Sequence, residues 1–158
     1  MRFPRATRHC QDGNRRRSYE HTSFTFLGFT FRQRGVRDRH GKPFSGFVPS
    51  VSKDALNKMS AEVRSWQLHT RTRHDFRGLA RRINPIVRGW MQYYGAFYRS
   101  ALYPLLSRIN SYLVRWIRKK YRRLQGRKKA GACFDGITSR YPRMFAHWAW
   151  VSTVPRVW

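Results

Sequence analysis

The stretch RRINPIVRGWMQYYGAFYRS, residues 81–100, sets Arg81, Arg82, Arg88 and Arg99 among two aromatic pairs and places an Asn-Pro step between them. Pro85 lacks an N–H and biases Asn84 away from the right-handed helical region. A helix opening near Asp75, with Phe76, Leu79, Ala80 and Ile83 on one stripe, is therefore predicted to end there. Pro85 suits the first turn of a new helix. In that helix Ile86, Trp90, Tyr94 and Phe97 recur at three- and four-residue spacing, which reads as an apolar stripe facing a core. Arg88 and Arg99 fall off the stripe. Tyr93 and Tyr98 fall at its margin, where a ring is placed to stack on a base.

Downstream, the spacing predicts the longest helix from about Tyr103 to Leu124. Its stripe is Leu105, Ile109, Leu113 with Tyr112, Trp116, Tyr121 and Leu124. Arg108, Arg115, Arg118, Lys119 and Arg122 step round the other side, and Gly126 suits a C-cap. A basic loop, GRKKAG, then leads to a helical pair at about 132–139 and 141–151.

Upstream, Ala55, Leu56, Met59, Val63 and Trp66 mark another helix with Ser52 as N-cap, Asp54 compensating its dipole, and Asp75 capping the next. Before it, HTSFTFLGFTFRQRG (21–35) alternates as strand, but Phe24 and Phe26 keep one phase and Phe29 and Phe31 the other. Such a slip moves side chains to the opposite face unless a bend absorbs it. Two short strands hinged at Gly28 are expected, with a returning strand at about 44–48. Residues 1–22 are basic and aperiodic, and the RRR run at 15–17 reads as a solvated or phosphate-touching arm. The fold class is α+β and mostly helical: a short β-hairpin, then a basic helical bundle. Three segments are expected, at 1–50, 51–126 and 127–158.

Charge narrows the function. The 158 residues carry 34 Lys and Arg against seven Asp and Glu, a net charge of +27, and only seven of the basic residues are lysine. Six Trp, eight Tyr and eleven Phe supply enough apolar surface for a core, which argues against disorder. A basic, aromatic-rich chain points to nucleic acid, and arginine favours bidentate phosphate contacts and stacking, although GC-rich codon usage also favours it. No apolar run reaches the length of a membrane span, and MRFPRATRHC lacks the apolar core of a signal peptide, so a cytoplasmic location without a membrane partner is expected. Cys10 and Cys133 form no Cys-x-x-Cys pair, and His9 or His147 beside them makes no metal-binding spacing. The seven acids include no close pair for two-metal chemistry, and no phosphate-binding glycine loop or nucleophile signature occurs. No catalytic residue, metal or cofactor is assigned.

Several long motifs fall in an order that resembles one family. FTFLGFTFRQRG, FSGFVPSVSKDAL, EVRSWQLHTRT, INPIVRGWMQYYGAFYRSAL and LLSRINSYLVRWIRKKYRRL together resemble the C-terminal part of bacterial group II intron-encoded reverse transcriptase/maturases, over roughly residues 8–150. FLGFTF (26–31) is similar to the last reverse-transcriptase block, at the palm's edge, and residues from about 52 to 124 are similar to the maturase-specific thumb, or X domain.

The resemblance implies that fingers and most of the palm, with the Tyr-Ala-Asp-Asp block, belong upstream of Met1 in a longer reading frame. Mg2+ is expected only for that missing palm. No His-Asn-His endonuclease motif follows. It also implies that the thumb grips intron RNA, so the partner is nucleic acid, group II intron RNA first. The alternative is the C-terminal part of a split RNA-directed DNA polymerase completed in trans by a separate fingers/palm chain. A structural polycation that coats nucleic acid or membrane without recognition is the third reading. Candidate RNA contacts are Arg64, Arg71, Arg73, Arg77, Arg81, Arg82, Arg88, Arg99, Arg108, Arg115, Arg118, Lys119, Arg122, Arg123, Lys128 and Lys129, with Leu27, Gly28, Tyr93 and Tyr98 as candidate base or primer contacts.

Overall fold

The computed structural model describes residues 23–37 and 40–152. The basic run at 15–17, Cys10 and the end of the tail lie outside the described residues. The chain divides between Leu56 and Asn57 into two compact units. Its fold is α+β and mostly helical.

In the first unit, β1 (Ser23–Phe26), β2 (Phe29–Arg37) and β3 (Pro43–Val51) form an antiparallel sheet in the order β1-β2-β3. The expected hinge at Gly28 is a two-residue hairpin turn. Leu27 has φ 49° and Gly28 φ 79°, the pair of left-handed conformations that matches the twist of the flanking strands. Glycine takes that conformation freely, whereas Leu27 holds it against its own Cβ. The turn is the bend that absorbs the change of phase between the two phenylalanine pairs. Phe26 opposes Phe29 and Phe24 opposes Phe31, so all four share one face. Opposed residues of an antiparallel pair point the same way, and the two turn residues absorb the apparent slip. The Phe24 and Phe31 rings stack at 4.7 Å, with Phe47 of β3 at 6.2 and 6.5 Å from them.

β3 is longer than expected because it pairs with the whole of β2, from Phe29 opposite Val51 to Arg37 opposite Pro43. It is an edge strand, which is where Pro49 is tolerated without its N–H. Ser52 closes the unit: its N–H donates to the Gly28 carbonyl at 2.7 Å, and its Oγ accepts from the Ala55 N–H at 3.2 Å. The second bond caps helix α1 (Lys53–Ser65), as the sequence predicts.

The second unit contains α2 (Phe76–Tyr94), α3 (Tyr103–Lys120) and α4 (Arg127–Arg140), with short 3-10 turns at Leu68–Thr70, Arg99–Leu102, Arg122–Leu124 and Ala146–Ala149. Asp75 caps α2, its Oδ1 accepting from the Gly78 N–H at 2.7 Å. The predicted break at Pro85 does not occur: α2 runs through it. Leu79, Ala80, Ile83 and Val87 are buried along one continuous stripe, and that packing outweighs a lost hydrogen bond. Because the phase continues instead of restarting, the predicted stripe after Pro85 is displaced. Val87 takes the core position, while Ile86 is 38% exposed and Phe97, beyond the helix end, 60%. Trp90 is half-buried and stacks on Trp66 at 5.6 Å.

Helix α3 is the centre of this unit. The predicted Leu105, Ile109, Leu113 and Trp116 are buried, and so are Leu106, Asn110, Val114 and Ile117, a much wider face than one stripe. The helix ends at Lys120, where Tyr121 turns extended and its side chain is exposed rather than core. Gly126 is the N-cap of α4 instead of a C-cap to α3, so the GRKKAG segment forms the first turns of a helix, not a loop. Only a 3-10 turn forms where a last helix at 141–151 is predicted. Phe134, Phe145 and Trp148 lock this end together, with ring centroids 4.7 Å apart for Phe145 and Trp148 and 5.4 Å for Phe134 and Trp148.

Candidate nucleic-acid interface

The same stripe geometry that buries Ile83 and Val87 turns Arg77, Arg81 and Arg88 outward, and all three are exposed. Facing them is the segment Tyr141–Met144, which carries Arg143. Asn84 fixes the two walls. Its Nδ2–H donates to the Met144 carbonyl at 2.9 Å, and its Oδ1 accepts from the Ala146 N–H at 2.9 Å. Between the walls lies a cleft of about 620 Å³, whose lining also includes Ala80, Pro85, Pro142 and Met144. A second cleft of about 530 Å³ shares Arg88, Pro142 and Arg143 and continues past Gly95 to Trp150. There the Arg99 guanidinium lies 5.1 Å from the Trp150 ring centroid. Among the described residues no acidic side chain lines either cleft.

A separate concavity of about 710 Å³ lies along α3, where Arg108 and Arg115 alternate with Ser107, Ser111 and Tyr112. Arg115 sits 5.6 Å over the Tyr112 ring. The structure thus brings together Arg77, Arg81 and Arg88 along α2 with Arg99 beyond its end, and Arg108 with Arg115 on α3. Arg64, Arg73, Arg82, Lys119, Arg122, Arg123, Lys128 and Lys129 are exposed elsewhere on the helices and turns.

Two candidates are partly tied down. Arg71 Nε donates to the Trp66 carbonyl at 2.9 Å, while its own carbonyl accepts from Trp116 Nε1 at 2.9 Å. Arg118 Nε donates to the Gln125 carbonyl at 2.7 Å. Tyr93 is 48% exposed and meets Tyr94 edge-on at 4.8 Å, whereas Tyr98 is half-buried. Leu27, at the tip of the first unit's hairpin, is 68% exposed and Gly28 half-buried.

Sequence reasoning overlooked Arg143 and Tyr141, whose basic-aromatic interleaving is visible in RYPRMF but follows no helical period. It also overlooked Lys120, whose Nζ donates to the His74 carbonyl at 2.5 Å and lies 4.8 Å over the Trp116 ring. Lys120 and Arg77 help to lower the pKa of Asp75, whose main cause is the hydrogen bond from the Gly78 N–H. Burial pushes the Cys133 thiol up and drives His147 down to about 3. Among the described residues no group of three or more His, Cys, Asp or Glu could hold a metal ion, and none of their helices is long and apolar enough to cross a membrane.

This is a basic helical domain with arginine-lined clefts and an aromatic core. Residues 56–134, half of the chain, match the family model of the group II intron maturase-specific domain, and the chain belongs to that family. The matched region is a maturase-specific domain, distinct from a catalytic polymerase domain. No curated protein and no solved structure matches the chain.

Proposed function

We propose that the chain is an RNA-binding maturase-type domain whose exposed arginines on α2 and α3 contact the phosphates of structured group II intron RNA, and that it performs no polymerase chemistry by itself. The observation that carries this reading is the outward row Arg77, Arg81 and Arg88 on a helix of the family-matched region, opposed by Arg143 with no acid between them. Phosphate contacts release counterions, so affinity should fall steeply and log-linearly with salt.

The test is fluorescence anisotropy with labelled intron RNA over a range of salt. Tight binding is expected, and the double variant R81E/R88E should weaken it and lower the salt slope, by roughly one for each contact removed. Equal affinity for intron RNA and an unrelated duplex of similar length would reduce the protein to a nonspecific polycation. Primer extension by the purified chain would overturn the non-catalytic half of the reading.

A further inference from the structure

The two clefts along α2 share Arg88, Pro142 and Arg143, so they form one groove in which an arginine rim is interleaved with apolar lining residues. We propose that this groove seats an unpaired stretch of the bound RNA, its phosphates on the arginine rim and a base stacked on Tyr141. The inference rests on the RNA-binding reading and names which part of an RNA this site takes.

A paired duplex turns its phosphates outward and its bases inward, so it would meet the arginines and leave Tyr141 and the apolar lining residues without a partner. An unpaired strand offers both the charge and the aromatic faces the groove matches. Arg77 and Arg88 are about 16 Å apart along the helix axis, the length of several stacked nucleotides at about 3.4 Å each. Tyr141 lines the first cleft and is exposed, and Arg140 lies 5.7 Å over its ring, a cation that backs a stacking platform. Both walls are preformed, because Asn84 bonds to the Met144 carbonyl and the Ala146 N–H. Little ordering is then left for the ligand to supply. An acidic peptide would satisfy the rim as well, but its acids carry no planar ring for Tyr141, whereas every nucleotide of an unpaired strand brings both a phosphate and a base.

The experiment compares a labelled oligouridine, an abasic strand with the same number of phosphates, and a blunt RNA duplex of the same length. The base-bearing strand should bind the intact protein about tenfold more tightly than the abasic one. Tyr141→Ala should erase that difference while leaving duplex affinity unchanged. Its backbone N–H bond to the Ile137 carbonyl survives the substitution, and circular dichroism checks that the helices do too. Arg81→Gln, on an exposed helix face, should weaken both strands alike and flatten their salt dependence.

Equal binding of base-bearing and abasic strands by the intact protein would overturn the groove assignment, as would a Tyr141→Ala loss shared by the duplex or an Arg81→Gln variant without effect. Those failures would leave intron RNA binding standing. Failure of the intact protein to bind intron RNA at all would sink both readings.

Discussion

Asn110 ties together three polar groups of the second unit. Its Oδ1 accepts from His147 Nε2 at 2.7 Å and from Trp148 Nε1 at 3.0 Å, and its Nδ2–H donates to the Val151 carbonyl at 3.0 Å. An Asn110→Ala substitution leaves those groups buried without a partner, a cost of about 3 kcal/mol or more, measurable by urea unfolding. The same contact holds His147 as the neutral tautomer with the proton on Nε2. Buried there, the imidazole titrates at about 3 instead of the usual 6.5.

The unfolded chain therefore takes up that proton first as pH falls. The stability from keeping His147 neutral is whole above about pH 6.5 and is lost towards pH 3, at a slope approaching 1.4 kcal/mol per unit. In His147→Gln this slope should disappear from the unfolding curves; a slope that persists unchanged would show that another group sets the acid limit. At this scale the sequence was least informative. His147 carries no local signal of its role, and nothing near it in sequence revealed that it pairs with an asparagine 37 positions away.

Among the elements, α2 shows how packing overrides a local signal. Pro85 cannot bond to the Arg81 carbonyl, and its ring crowds the preceding turn, yet Ile83 and Val87 on either side are fully buried. Replacing it with alanine should restore the missing bond and raise stability by about 1–3 kcal/mol, read from the shift in the urea midpoint. If midpoint and slope stay as they were, the helix does not bear the strain of its proline.

The local grammar was legible where it needed only neighbours: the Ser52 cap, the Asp75 cap and the hairpin hinge at Gly28 all form. It misled where two outcomes shared one signal. Gly126 suits a helix end or a helix start, and the structure uses it as the start of α4.

For the whole molecule, a charge of +27 on 158 residues makes self-repulsion a standing cost of the folded state. Salt should therefore act in opposite senses on its two properties. Without RNA, moderate sodium chloride should raise the melting temperature by screening the arginines; with RNA, the same addition should weaken the complex. A melting temperature indifferent to salt would mean that the charges are already dispersed widely enough to ignore one another.

The sequence by itself determined the class of this protein: the excess of arginine and the switch from strand to helix period near Ser52 are properties of composition and spacing, and the motifs resemble, and match, the maturase-specific domain family. Periodicity assigns a residue to one side of its own helix, so it separated Arg88 from the core correctly. It carries no information about which segment lies across from that side. Tertiary structure decided that Tyr141 and Arg143 face Arg81 and Arg88, that α3 is buried on far more than one stripe, and that α2 stays whole through Pro85. The physical reason is common to all three: each depends on a partner remote in sequence, whether a buried apolar neighbour, as for α2 and α3, or the Asn84 bonds to Met144 and Ala146 that hold Tyr141 and Arg143 in place.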